Sequence, residues 1–591
     1  MHGLKRFSAL FGLFWILSSL GYSAESTYLN YNQLTQRLKA LQKQHSAGVH
    51  LSELAVSSEK RTVWLLEISA LSEKERPDHP AMLALAGVEG NHLVGTEVAV
   101  AFAERLCGTK EKTGEFQDLL KTTTIYIIPR LNPDGAERYF LTPRQEMETN
   151  TTPFDDDHDG LIDEDGPEDL NGDGVISLMR VEHPDGTYIE HPDDPRVLIK
   201  ADPAKGERGK WLLLSEGKDH DGDKKIGEDP LGGVNFNHNF PYQYPWFDPQ
   251  AGIYPICEKE TRAMAEFMVS HPHIGIFMTF AANDNLLKTP ASEDQTSGRD
   301  PQTKIRTEDV KYYDELGKIY RKLMGIEKPV ESPSAKGSVA DWIYFHRGRL
   351  SLCARVWSPE IALAMKKKED KNAPAEKDAK TGASKIEAAT KENESKKEKE
   401  DERGKTEIEY LKWLDQNAPG AFLPWREFKH PDYPGKKVEI GGLVPFADTL
   451  PPESVLKELM PGQVDFLTQL ARKLPRIHFR EVEAKPLGSG VYDLRILVEN
   501  TGYLPTVLAH GVRAGVQADA IKPTRLEIDL PKEAFLSGAR RTMLPPIPGG
   551  GNAEVHLVIQ PKSKTQVKCE VISALAGRDE RTVEFKKEGG R

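Results

Sequence analysis

Cysteine is scarce in this chain: four residues in 591, Cys107, Cys257, Cys353 and Cys569, with no Cys-x-x-Cys pair. That excludes a disulfide framework and a cysteine-ligated metal cluster, so the fold must rest on packed apolar cores, while any pairing of the four stays open. Long apolar runs are missing too. Residues 7–20 form one, but it is shorter than the roughly 20 residues that span a bilayer, and no later segment reaches that length. Lys5 and Arg6 precede this run and Gly21, Ser23 and Ala24 follow it, the pattern of a signal peptide over residues 1–24. The mature chain is therefore expected to be exported, to a periplasm or the extracellular space, without a membrane span. A surplus of basic residues is also absent. The net charge of -12 argues against a nucleic-acid partner, because a phosphate backbone recruits Lys and Arg.

What is present is periodic. After a helical spacing at Tyr31, Leu34, Leu38 and Leu41, residues 63–68 and the fully apolar 81–86 read as strands. A glycine-rich turn then leads into a helix with Val98, Phe102 and Leu106 on one face, and residues 124–129 read as the next strand. Strand, helix, strand in that order predicts a sheet with parallel pairs, to which 273–280 and 350–356 add further buried strands. The helix carrying Val464, Leu467, Leu470 and Leu474 stops at Pro475, which closes a first domain over 25–475. From residue 476 onward, period-two runs such as Tyr492, Leu494, Ile496 and Val498, punctuated by Gly, Pro and Asn, predict an all-β sandwich over 476–591. Residues 366–405 are crowded with Lys and Glu and hold no aromatic residue, so they read as a solvated insertion, a loop or a frayed helix.

A second insertion, 151–230, is acidic. Ten carboxylates fall between Asp155 and Asp173, with no Lys or Arg among them. Asp155-x-Asp157-x-Asp159-Gly160 and Asp169-x-Asn171-x-Asp173-Gly174 place oxygen ligands and a turn glycine at the spacing of a calcium loop, each followed by an isoleucine expected to face the core, Ile162 or Ile176. Asp219, Asp221 and Asp223 make a third copy with Lys224 at the glycine position. The twelfth positions, Gly166, Arg180 and Pro230, lack the usual bidentate Glu, so weak or structural calcium is expected, with Asp163, Asp165, Glu228 and Asp229 as flanking acids.

Several segments together resemble the zinc carboxypeptidase superfamily. Gly87-Val-Glu-Gly-Asn-His-Leu-Val-Gly-Thr-Glu97 is similar to its metal-binding turn, Asn132-Pro-Asp-Gly135 to its Asn-Pro-Asp-Gly turn, and Asn235-Phe-Asn-His-Asn-Phe-Pro241 to its Asn-Arg-Asn-Phe-Pro segment. Residues 280–286, 337–342 and 355–359 continue the likeness in order. The resemblance implies an α/β fold, a carboxypeptidase-like mixed central sheet flanked by helices, with the β-sandwich appended.

It also implies where the chemistry belongs. The family holds zinc with two His and one Glu and uses a further Glu as general base. In this chain the first His position holds Glu89, the metal-binding Glu position holds His92, and the third ligand position holds Ala281. Arg355 occupies the general-base position, His238 stands beside Asn237 where an Arg would clamp a carboxylate, and Glu148 falls on the other Arg position. A guanidinium cannot accept a proton from water, and a Glu89–Arg355 ion pair is the expected occupant of the vacated centre. These replacements predict a catalytically inactive member that binds a peptide or other carboxylate-bearing ligand through Asn237, His238 and Arg355. The rival readings are an active zinc metallocarboxypeptidase with a third ligand from His238 or Asp284, and a calcium-stabilised structural or adhesion module.

Overall fold

The computed structural model describes residues 27–585 except 109–114, 154–159, 161, 164, 221, 223, 228–231, 295–301, 334–335, 371–390, 513–520 and 563. The expected signal peptide and the middle of the Lys/Glu insertion thus lie outside the described residues. Six strands form a mixed sheet in the spatial order Val49–Val56, Thr62–Ile68, Thr124–Ile128, Ala81–Leu85, Ile274–Phe280 and Leu350–Ala354. The last four run parallel, the arrangement that requires helical crossovers and buries both faces. Their near-continuous apolar sequences follow from that: Met82 and Ala84 face one core with the helices Tyr31–Gln44, Leu93–Cys107 and Glu453–Ala471, while Ala81, Leu83 and Leu85 face another with Lys259–Ser270 and Val339–Arg347.

The expected helix around Leu467 begins earlier, at Glu453, and runs through Pro461. The edge strand Val49–Val56 carries a blurred burial pattern, which is why alternation did not reveal it. Residues 151–230 are more than an acidic loop. They contribute the strands Leu178–Glu182, Tyr188–Glu190, Leu198–Lys200 and Trp211–Ser215, which join the hairpin Phe422–Phe428 and Val438–Leu443 in a second, antiparallel six-stranded sheet. The C-terminal part of the Lys/Glu insertion belongs to one helix, Lys391–Asn417, anchored beyond it by buried Ile408, Tyr410, Leu411, Trp413 and Leu414.

Beyond Arg476 the chain is built of strands in two four-stranded sheets. Leu494, Ile496 and Val498 of one sheet and Leu526, Ile528, Val567, Cys569 and Val571 of the other share a single core, as their alternation requires. All four cysteines are free thiols. Among the described residues no helix is long and apolar enough to cross a membrane.

One close backbone approach positions the site. Gly90, in the turn after Ala81–Leu85, lies against Gly135 of the Asn-Pro-Asp-Gly turn, and a Cβ there would sit 2.6 Å from the Met147 carbonyl oxygen and 2.8 Å from the Gly135 backbone. Backbone cannot yield as a side-chain tip can. Gly90→Ala is expected to lower the unfolding free energy by about 1–3 kcal/mol, measured by denaturant titration.

Candidate functional site

Ligands of open sheets with parallel strands gather outside the strands' carboxyl ends. Here three neighbouring parallel strands end together: Ala81–Leu85 leads to the turn bearing Glu89 and His92, Ile274–Phe280 leads to Ala281, and Leu350–Ala354 leads to Arg355. Topology therefore brings four residues singled out from the sequence to one edge.

Glu89 is buried. Its Oε1 accepts hydrogen bonds from Asn237 Nδ2 at 2.8 Å and the Ala282 amide at 3.2 Å, while Oε2 has no partner. Burial, the dominant cause, pushes its carboxyl up to about 7. His92 is buried as well, and its Nε2 lies 2.8 Å from the Arg355 carbonyl oxygen. A carbonyl only accepts, so Nε2 carries the proton and Nδ1 is left with a lone pair and no partner. Burial pushes His92 down to about 4, which keeps the ring neutral.

Arg355 does not pair with Glu89, contrary to the expectation from the sequence. Its nearest acid is Glu360, 3.7 Å from Nη1. The next residue, Val356, has φ 66°, and the Trp357 amide donates to the Arg355 carbonyl at 2.8 Å, a tight turn that a β-branched residue adopts only under strain. Beyond this turn the guanidinium lines a cavity of about 540 Å³, walled by Tyr188, Leu198, Tyr410 and Trp425 and edged by Asp448. Burial pushes the Asp448 carboxyl up, and Arg355 opposes that shift.

Asn237 and His238 do not line that cavity. Asn237 is buried and serves the turn, bridging Glu89 and Asn283 Oδ1 (3.0 Å) through Nδ2 and accepting from the Val339 amide at 3.3 Å. His238 Nδ1 sits 2.8 Å from Asp248 Oδ2. Asp284 is held by the amides of Leu286, Leu287 and Arg355 at 2.6–2.9 Å, and burial pushes it up to about 6. Neither His238 nor Asp284 is turned toward Glu89 and His92, because each is already committed to a local partner.

Other residues of the site went unrecognised in the sequence or were placed there least securely. Glu148 accepts from Asn235 Nδ2 at 3.2 Å, and its negative charge adds to the upward shift of Glu89. Asn91 donates to Glu146 at 2.9 Å, and Glu146 also takes the Phe446 amide and the Thr449 hydroxyl, tying the turn to a segment three hundred residues away. The alternation Asn235, Asn237, Asn239 was the one local hint of such a network.

The two unpartnered buried donors, Glu89 Oε2 and His92 Nδ1, are zinc-ligating atoms. The rest of the centre does not fit the ion. Ala281 is buried at the third position, Nδ1 lies against the start of a helix where a Cβ on Gly95 would be 3.1 Å away, and no group of three His, Cys, Asp or Glu gathers among the described residues.

Of the acidic loops, Asp155, Asp157, Asp159, Asp221, Asp223, Glu228 and Asp229 lie outside the described residues. In the second loop Asp169 accepts from the amides of Gly172, Asp173 and Gly174, and in the third Asp219 repeats this toward Gly222 and Lys224. Lys224 accordingly takes φ 76°, the conformation of the glycine it replaces. Ile162 does not face the core; it is 57% exposed. Asp165 spends both oxygens on the amides of His220 and Gly227, and buried Glu216, missed from the sequence, clamps Leu170, Asn171 and Ser177.

A family model described as zinc carboxypeptidase matches residues 34–157 and 173–380, and a domain of unknown function matches 476–584. Carboxypeptidase D of Rattus norvegicus is 38% identical over 136 residues, 23% of this chain and 10% of its own length. Carboxypeptidase E of Caenorhabditis elegans is 29% identical over 147 residues, 22% of this chain and 31% of its own length. The chain thus spans about a tenth of the first relative and under a third of the second. Among solved structures, carboxypeptidase A from Helicoverpa armigera aligns at TM-score 0.35 and 12% identity, covering 55% of this chain and 63% of that one.

The sign of the Glu89 shift gives a prediction. Its folded value of about 7 lies above the usual 4.5, so ionisation penalises the fold. The penalty is absent below the usual value, grows as pH rises toward the folded value and is complete above it. Glu89→Gln, which keeps the acceptor and loses the charge, is expected to raise stability at pH 8 by roughly 2–3 kcal/mol and to change little near pH 4, measured by denaturant titration at both. A metal-ligating Glu89 gives the opposite sign.

Proposed function

We propose, for a chain that belongs to the zinc carboxypeptidase family, that the strand-end site binds a carboxylate-bearing ligand such as a peptide and does not hydrolyse it. The chain is read as exported, in keeping with residues 1–24. Hydrolysis needs a base that accepts a proton from water, and the guanidinium of an arginine such as Arg355 has five N–H donors and no acceptor. It needs three ligands on the metal, and Ala281 offers none. The observation that carries the reading is Arg355, which lines a cavity of about 540 Å³ and whose ion pair with Glu360, at 3.7 Å, is longer than a hydrogen bond, so a planar carboxylate can compete for its N–H groups.

Calorimetry with N-acetylated amino acids and short peptides tests this. Binding is expected with a Kd in the micromolar to millimolar range, weakened about 10- to 100-fold in Arg355→Ala. Metal analysis is expected to find zinc well below one per chain. Chelator-sensitive release of C-terminal residues by a zinc-loaded chain would overturn the reading.

The matching amide cradles of Asp169 and Asp219 favour a second role, calcium stabilisation of the inserted sheet. A few millimolar calcium is expected to raise Tm by several degrees, and excess chelator to lower it. An unmoved Tm refutes it.

A further inference from the structure

Among the described residues, the Arg355 cavity has more acid around it than base. Glu360, Glu407 and Asp448 line its wall, and Glu146 sits behind, against the turn that carries Asp448. The basic residues of the wall are Arg196 and Arg355. Arg196 is held by Asp194 at 2.7 Å and by Asp415 at 3.0 Å, which leaves Arg355 to face the four acids. Lys405 and Lys412, on the helix that supplies Glu407, are exposed and do not line the cavity.

The backbone holds two of these acids together. The turn at residues 446–449 closes on Glu146, whose carboxyl takes the Phe446 amide at 2.5 Å, the Thr449 hydroxyl at 2.9 Å and the Asn91 side chain at 2.9 Å. All three donors are neutral. Asp448 lies within that same turn, where the donor to its carboxyl is its own backbone amide. Arg355, Glu360 and Tyr410 face it from the neighbouring elements, and Glu407, Arg196 and Tyr188 complete the charged and titratable groups of the wall. Two adjacent, half-buried carboxyls served by neutral donors resist ionising together, so a proton is shared between them. Burial pushes both upward, the charge of Asp448 adds to the shift of Glu146, and Arg355 opposes the shift of Asp448.

A ligand carboxylate arriving at Arg355 is a fifth negative group in this setting. Like charges at such range repel, and uptake of a proton removes the repulsion. A protonated carboxyl does more, because its O–H is a donor: it can bond one oxygen of a carboxylate whose other oxygen takes the Arg355 N–H groups. Glu360 is already the ionic partner of Arg355, and Glu146 is spent on its three donors behind the wall. Asp448 differs from Glu407 in having a second carboxyl packed behind it.

We propose that Asp448 is the second ligand-binding residue of the Arg355 site: in its protonated form it donates to the ligand's carboxylate, so each ligand is captured together with a proton drawn from solvent. This rests on the binding reading above and adds to it a proton count. The sign follows from the shared proton: the pair keeps it at acid pH and releases it as pH rises, so affinity is highest in acid and falls toward alkaline pH.

The test is calorimetry on the full chain with N-acetyl-leucine, whose own carboxyl, near about 3.5, stays ionised from pH 5.5 to pH 8. Titrations at each pH in two buffers of different ionisation enthalpy count the protons bound with the ligand. A maximum uptake of roughly 0.5–1 proton per ligand is expected within that range, with a Kd at least about 10-fold weaker at pH 8 than at pH 5.5. Asp448→Asn and Asp448→Ser, checked for folding by melting curves, are each expected to lose the uptake and flatten the pH dependence. At pH 8 Asp448→Asn is expected to bind more tightly than the unmodified chain, since its amide keeps a donor and carries no charge. Binding without proton uptake at any pH overturns the role of Asp448 and leaves the Arg355 reading standing, as does uptake that persists undiminished in a folded variant. Absence of binding across the whole range overturns the Arg355 reading, and the role of Asp448 with it.

Discussion

The contact between His92 Nε2 and the carbonyl oxygen of Arg355 joins two of the three strand ends. It sets the His92 tautomer, and the same carbonyl also accepts the Trp357 amide across the strained turn at Val356. The Arg355 guanidinium lies by Glu360, not Glu89. A charge that might have compensated the buried carboxyl is thus spent elsewhere, and Glu89 is left to neutralise itself by holding a proton.

Where the guanidinium goes depends on an element that the central sheet does not supply. The inserted strands and the hairpin at residues 422–443 build the far wall of the Arg355 cavity. Their sheet is stabilised less by a large core than by polar clamps, with Arg180 held between two tryptophans and Glu216 gathering three loop residues. Such clamps work because burial strengthens each charge-assisted bond while it penalises any group left over. Two of the buried groups without a hydrogen-bond partner, Glu89 Oε2 and His92 Nδ1, lie at the strand ends.

Much of the architecture was legible beforehand. The apolar runs at 81–86, 124–129, 273–280 and 350–356 became adjacent strands, and the alternation around Leu494 and Val567 became two sheets around one core. Period and turn chemistry are local, so they survive reading in one dimension. The residues Glu89, His92, Ala281 and Arg355 were singled out in the same way, from motifs read along the chain, and the fold brings them to neighbouring strand ends. The inserted strands were not: Leu178–Glu182 pairs with Val438–Leu443, more than two hundred positions away, and Tyr188–Glu190 and Leu198–Lys200 are only three residues long, too short for a period to show.

The amino-acid order alone determined which chemical groups stand at the strand ends: Glu89, His92, Ala281 and Arg355. Only the tertiary structure decided whom those groups meet. Glu89 answers to Asn237, Arg355 to Glu360 and Asn91 to Glu146, pairings that depend on backbone bends and on segments folded in from afar. Side-chain direction at a turn, unlike residue identity, is fixed by the packing of everything around it.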